Sequence, residues 1–490
     1  MGYSQFLNMV PEFYLVCILL VVFFMDFFFS RKSGRDHEVF GGVTIGLMLV
    51  LPVRIAFLSE PTEAFGGMYV ASQAANVMKV ILSIGTVIVL IMAEPWLKNE
   101  AQKHRGEFYL LMLSTLLGMF IMVSSGSFLL FFLGLETASV PMACLVAFDK
   151  FKKKSAEAAA KYILVATFSS GVMLYGISFV YAATGTLYFD DVADAIFGTN
   201  PLYEGVTPLT ILGLVFFFSG LAFKLSLVPF HFWTADTYEG APTPVTGYLS
   251  VCSKGAAAFA AMVILCKAFA PLVEYWEYML YIVIVLSITI ANLFAIRQSE
   301  LKRFMAFSSI SQAGYIMLAV IGASQTGMAS LMYYVLVYVV ANMAVFTVIS
   351  TVEQNNGGTT AISSYDGLYQ TNPKLAFLMT LALFSLAGIP PFAGMFSKFF
   401  VFMAGVNGHE SGAPFWPYFV VFVALVNTVV SLYYYLLIVK AMYIKQTDTP
   451  LPTFKTDGNT RFALAICTLG IALFGICSCI YDWLFAASAM

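Results

Sequence analysis

Fourteen stretches of mostly apolar residues, each long enough to cross a bilayer, recur from one end of this chain to the other. They lie near 12–29, 40–58, 77–94, 107–124, 127–148, 161–183, 208–230, 243–269, 277–296, 304–323, 327–351, 375–403, 416–443 and 463–486. A helix needs about 20 such residues to span the hydrocarbon core. Inside lipid, a segment must satisfy its own backbone hydrogen bonds, which leaves the helix as the only form open to segments of this length. Only 11% of the 490 residues are charged, against about 25% in a soluble domain. The fold class is therefore an all-α polytopic membrane protein with about 14 transmembrane helices.

The basic residues test that count. Eighteen of the 25 Lys and Arg fall in alternate loops, beginning with Arg31, Lys32 and Arg35 after span 1 and ending with Lys440, Lys445, Lys455 and Arg461 before span 14. The other loops hold none and are neutral or acidic, as with Asp190, Asp191, Asp194 and Glu204. A missed or surplus span would have scrambled this segregation. The positive-inside rule places the basic loops in the cytoplasm and both termini outside. The N-terminal run is too long for a signal peptide and has no small-residue cleavage site before Ser30, so it is expected to be a retained first span.

Several function classes drop out. The net charge is −2, and no basic tail or stripe is present to bind nucleic acid. The seven cysteines lie in apolar segments with no C-x-x-C pair, so no iron–sulfur or zinc framework is expected. The four histidines are scattered, against a paired-histidine haem. No phosphate loop and no nucleophile–base arrangement is visible.

What remains is a set of charges in the wrong place. Seven basic residues lie outside the loops: Arg54, Lys79, Lys161, Lys224, Lys254, Lys267 and Lys398. Arg54, Lys79 and Lys267 stand near outer span ends, where a long stem can carry the charge back to the interface. Lys161 sits at the mouth of span 6. Lys224, Lys254 and Lys398 lie deep, where a charge costs roughly 2.5–3.5 kcal/mol on insertion scales. Glu136 is similarly placed in span 5. Pro229 follows Lys224 by five residues, and Pro390–Pro391 precede Lys398, so spans 7 and 12 are expected to be broken helices. Freed backbone is tolerated only where it is buried in protein or lines a cavity. Lys224 and Lys398 are 174 residues apart, in spans 7 and 12, an odd offset of five spans. Spans 4–8 and 9–13 are thus expected to be two inverted five-helix repeats, a layout that puts ion sites at the breaks. The expected units are 1–106, 107–270, 271–445 and 446–490.

A carboxylate close to a buried lysine holds its proton, and separation releases it. Glu136 with Lys224 is the expected pair; a static ion pair that only orients helices is the plain alternative. Lys254, among Gly and Ala that leave room for water, is the expected next acceptor and Lys398 the terminal site. His231, seven residues past Lys224, either bridges the two lysines or simply ends a helix. Lys161 either modulates Glu136 or belongs to the basic rim.

Three blocks, VPFHFWTADTYEGAPTPVTGYLS, LKRFMAFSSISQAGY (301–315) and LAGIPPFAGMFSKF (386–399), resemble the antiporter-like membrane subunits of respiratory complex I (NADH-quinone oxidoreductase), a family shared with Mrp-type cation/proton antiporters. The resemblance runs from about span 4 to span 13. It implies fourteen helices, two inverted repeats, and broken helices 7 and 12. It also implies a proton path at Glu136, Lys224, Lys254 and Lys398, with Lys161 and His231 at further polar positions. Length, an ending after span 14 and lysine rather than glutamate at 398 resemble the N-type branch, similar to mitochondrial subunit 2. The implied function is proton translocation coupled to quinone reduction elsewhere in the complex. No cofactor is expected in this chain. FMN, iron–sulfur clusters and quinone are expected in partner subunits, and the location is a bacterial inner membrane. The competing readings are a subunit of an Mrp-type antiporter, a subunit of a complex I relative with a donor other than NADH, and a passive scaffold.

Overall fold

A computed structural model describes residues 3–29, 35–58, 60–101, 104–198, 205–407, 415–447 and 450–489. Of the loop charges, Arg31, Lys32, Lys103 and Glu204 lie outside the described residues. Thirteen helices among the described residues are long and apolar enough to cross a membrane. They are Val10–Phe28, Val39–Phe57, Gln73–Asn99, Arg105–Val123, Phe128–Val146, Lys153–Thr184, Pro208–Leu225, Thr243–Cys266, Ala270–Ile296, Leu301–Ile321, Gln325–Asn355, Phe415–Tyr443 and Gly458–Ile476. Two shorter apolar helices, Pro373–Ala387 and Ala393–Asn407, together fill the place of span 12. The fourteen expected spans are thus all present, with span 12 in two pieces.

Span 11, Gln325–Asn355, is walled in by protein along its whole apolar window, as is span 10, Leu301–Ile321. Span 11 packs against spans 3, 10 and 14 and both halves of span 12. By contrast the first and last spans present most of their surface outward. Aliphatic and aromatic side chains there face lipid, so their exposure needs no ligand to explain it.

The connecting loops carry the remaining structure. Strand Thr62–Ala64 pairs antiparallel with Tyr69–Ala71, with Thr62 opposite Ala71. The hairpin is tied to the turn after span 4, where the Val70 amide donates to the Ser124 carbonyl (2.8 Å) and the Gly126 amide to Met68 (2.8 Å). A short helix, Phe189–Phe197, starts with Asp190 and Asp191 in its first turn, where carboxylates complement the helix dipole.

Three basic residues sit differently from their sequence reading. Lys79 does not snorkel. It is wholly buried and paired to Glu12 at 2.6 Å, because a carboxylate from span 1 reaches it inside the bundle. Arg105 and Lys302, counted with the loops, begin helices and are buried. Arg105 pairs with Glu94, and Lys302 donates to the Ala241 carbonyl at 2.6 Å.

Both predicted breaks are present. Span 7 ends at Leu225, and Ser226 adopts φ +62, a left-handed conformation uncommon for a residue with a Cβ. The chain resumes as helix Phe232–Gly240. The backbone groups freed between the two pieces find partners. The Val228 amide donates to Ser287 Oγ in span 9 (2.9 Å), and Trp233 Nε1 donates to the Phe223 carbonyl (3.2 Å). In span 12 the first half ends at Gly388, φ +88. The Val228–Pro229 and Pro390–Pro391 peptides are both cis, one in each break. The two halves of span 12 approach so closely that a Cβ on Gly394 would collide with the Ser385 carbonyl.

Candidate functional site

Each deep lysine stands at an irregularity in its helix. Lys224 lies in the last turn of Pro208–Leu225, directly before the break. Lys254 follows a π-helical turn, Leu249–Ser253, that interrupts span 8. Such turns add a residue, re-aim the side chains after them and are frequent at functional sites. Lys398 is in the second half of span 12, and its side chain folds back over the break. All three are at most 4% exposed.

Their ammonium groups rest on neutral partners. Lys224 Nζ donates to Ser139 Oγ at 2.8 Å. Glu136, one helical turn before Ser139, is within coulombic reach of Lys224 but makes no ion pair with it, and its Oε1 is buried without a hydrogen-bond partner. Ser139 therefore occupies the contact that the sequence assigned to Glu136. The Glu136 carboxyl group lies one turn away from that contact. Lys254 Nζ donates to Ser309 Oγ at 2.7 Å and lies 5.6 Å from the Tyr238 ring. Lys398 Nζ donates to the Ala387 carbonyl at 3.0 Å and lies 5.0 Å from the Tyr315 ring. That carbonyl ends a half-helix, where the backbone dipole favours a cation. The absence of a Cβ on Gly388 matters here: one would stand 3.1 Å from the Lys398 Cδ.

His231 caps Phe232–Gly240 with its ring stacked on Phe232 at 4.6 Å. It is buried, within coulombic range of Lys254, and its Nδ1 has no hydrogen-bond partner. Lys161 is 43% exposed and belongs to a lattice of ion pairs. It pairs with Glu157 (2.7 Å) and Asp236 (2.6 Å), while Arg303 pairs with Asp236 (2.7 Å) and Glu239 (2.8 Å). Burial alone would raise the Asp236 carboxyl, yet Lys161 and Arg303 overcome it and hold Asp236 below the usual carboxylate range. The lattice lines a cavity of about 230 Å³.

The residues that join these groups were not singled out from the sequence. Ser309 also meets the Tyr238 hydroxyl (3.2 Å) and donates to the Ser250 carbonyl (3.5 Å). Asn342 donates to Ser250 Oγ (2.6 Å). On the preceding residue of span 10, Ser308 meets the Tyr435 hydroxyl at 2.5 Å. The available signal was the run SSISQ at 308–312, five residues with four polar side chains inside an otherwise apolar span. No group of three or more His, Cys, Asp or Glu able to hold a metal is found among the described residues.

Comparisons with known proteins agree with this architecture. A family model described as "NADH:quinone oxidoreductase/Mrp antiporter, TM" matches residues 125–449. NADH-quinone oxidoreductase subunit N of Phocaeicola vulgatus is 56% identical, with 99% of each chain covered. The subunit N of Desulforamulus reducens is 36% identical over 96% of this chain and 95% of its own. Among solved structures, a chain of respiratory complex I from Thermus thermophilus with bound aureothin matches with a TM-score of 0.76 and 28% identity, covering 95% of this chain and 97% of its own. A chain of the Mrp complex from Dietzia sp. has a TM-score of 0.82 at 20% identity, covering 99% and 97%, a likeness of fold alone. The chain belongs to the NADH:quinone oxidoreductase/Mrp antiporter membrane family, and within it to the branch of the subunit N relatives.

Proposed function

We propose that this chain is a proton-translocating membrane subunit of a NADH:quinone oxidoreductase, carrying protons along Glu136, Lys224, His231, Lys254 and Lys398 while quinone is reduced in other subunits. The observation that carries this reading is the placement of three buried lysines at three helix discontinuities, each on a neutral, replaceable hydrogen-bond partner. A lysine needed only to hold helices together would be expected to sit in a closed ion pair, as Lys79 does with Glu12. The identity of the relatives favours the redox-driven complex over an antiporter: 56% to a subunit N, against 20% to the Mrp chain.

In this reading each group has a task. Lys224 can exchange its contact with Ser139 for the unpartnered Glu136 oxygen one turn away. The closed Glu136–Lys224 pair keeps the proton, and the return to Ser139 frees it to move on. His231, with an unpartnered ring nitrogen and within coulombic range of Lys254, bridges the break. Lys161 couples this step to the cytoplasmic lattice through Asp236. Lys254 passes the proton toward Lys398. NADH oxidation, FMN, the iron–sulfur clusters and quinone are assigned to partner subunits. The assembly sits in the bacterial inner membrane, with both termini of this chain on the outer side.

The test is proton pumping in inside-out membrane vesicles that carry Lys224→Ala or Glu136→Ala. Each variant is expected to assemble, to lower pumping sharply and to slow coupled quinone reduction. A normal proton-to-electron ratio at normal turnover in both variants refutes the path.

A further inference from the structure

The hydrogen-bonded groups that lead from Lys254 toward Lys398 are Ser309, Ser308, Tyr435 and Gln312, and the centre of that series is an amide. Gln312 lies 176 residues after Glu136, close to the 174 that separate Lys224 from Lys398. In the second half of the chain Gln312 therefore stands where the first half has its carboxylate. Its amide is fully engaged. Nε2 donates to the Leu386 carbonyl (3.3 Å) and to the Tyr435 hydroxyl (3.3 Å), and Oε1 accepts from the Tyr334 hydroxyl. Leu386 is in the last turn before the break of span 12, so its carbonyl is one that the interrupted helix leaves without a partner. Tyr435 leads back through Ser308 to span 10, whose next residue, Ser309, holds the Lys254 ammonium.

Gln312 and Lys398 also face one small cavity of about 10 Å³, lined in addition by Tyr334, Tyr338, Ser385 and Ser397. That is space for about one water. The Tyr338 hydroxyl and Ser385 Oγ there are buried without partners, and buried polar groups of this kind are ordinarily satisfied by an ordered water.

We propose that Gln312 is the positioning residue that joins the Lys254 half of the path to Lys398: its amide clamps the open end of broken helix 12 to Tyr334 and Tyr435 and so fixes the one-water cavity beside Lys398. The inference rests on the proton-path reading given above. An amide suits the task because it donates and accepts at once yet stays neutral. A carboxylate in its place would pair with Lys398 and retain the proton. Gln312 itself neither binds nor releases the proton.

The test uses the intact complex in inside-out vesicles and reads the proton-to-electron ratio from pH 6 to 9 for Gln312→Met, Gln312→Glu and Lys398→Ala. The titratable groups facing position 312 are Lys398 and the tyrosines 334, 338 and 435, with Tyr315 beside Lys398. Gln312→Met keeps the bulk and loses the clamp. It is expected to lower pumping by about three- to tenfold at every pH, the scale of one lost buried hydrogen bond. Gln312→Glu is expected to lower pumping most at the acid end and to recover as the pH rises and the ion pair yields its proton. A structural role alone predicts equal losses for both variants at every pH, in step with their heat stability, and that result overturns the proposal. Wild-type ratios in both Gln312 variants, alongside a loss in Lys398→Ala, overturn it while leaving the path intact. A wild-type ratio in Lys398→Ala removes the terminal site and the proposal with it.

Discussion

The Glu12–Lys79 pair gives the most quantitative expectation. Lys79 Nζ lies 2.6 Å from Glu12 Oε1 with side-chain exposures of 0% and 4%. Tyr69 completes a ring: its hydroxyl accepts from Lys79 at 3.0 Å and donates to Glu12 Oε2 at 2.8 Å. The Phe120 ring lies 5.8 Å from the ammonium. With Glu12 changed to Gln, a buried ammonium keeps only a phenol and an amide. Removing one partner of a buried pair costs about 3–5 kcal/mol, whereas replacing both by apolar groups of similar volume is often close to neutral. Glu12→Gln and Lys79→Met should therefore each reduce the heat resistance of the first three spans, and Glu12→Leu with Lys79→Met should recover most of it. The cycle is read from thermal inactivation of quinone reduction and from the amount of assembled complex in membranes, with an expected coupling of about 2–3 kcal/mol. The proton-to-electron ratio of whatever assembles should stay at the wild-type value, because this pair lies off the path. Strictly additive losses in the double variant would show that the two charges do not depend on each other, and the reasoning would fail.

Three further expectations concern the breaks and the rim. Gly388→Ala forces a Cβ into a φ of +88 and against the Lys398 stem. The conformational cost alone is about 1–2 kcal/mol, and pumping should fall in vesicles whose complex content is unchanged. Ser287→Ala leaves the Val228 amide of broken helix 7 without its acceptor, which should cost about 1–3 kcal/mol in heat stability. Lys154→Ala removes a pair whose lysine is 74% exposed; an exposed ion pair contributes about 0–1 kcal/mol, so stability and pumping should both stay near wild type.

Much of the architecture could be read in the residues because lipid imposes one rule on every span. Length, apolar content and alternating loop charge located all fourteen segments, and Pro229 and Pro390–Pro391 marked the breaks to within a few residues. The exact ends were less legible. Span 6 begins at Lys153, eight residues before the apolar run, because its first two turns are polar and stand outside the hydrocarbon. The site was legible only in its charges. Lysine in an apolar run announces itself by cost, but Ser139, Ser309 and Tyr435 are ordinary residues for membrane helices. What makes them partners is helix rotation and packing, which periodicity does not supply. Lys79 shows the converse: position near a span end suggested snorkelling, and only the fold brings Glu12 from another span to meet it. The π-turn before Lys254 has no signature in GYLSVCSKG at all.

Lys254→Met offers the most direct measurement. The substitution keeps the bulk of a side chain that is 1% exposed and removes its charge and its bond to Ser309. Inside-out vesicles with this variant, matched to wild type for assembled complex and supplied with NADH, should move fewer protons per electron and reduce quinone more slowly. An unchanged ratio at full turnover would mean that the buried ammonium groups carry nothing.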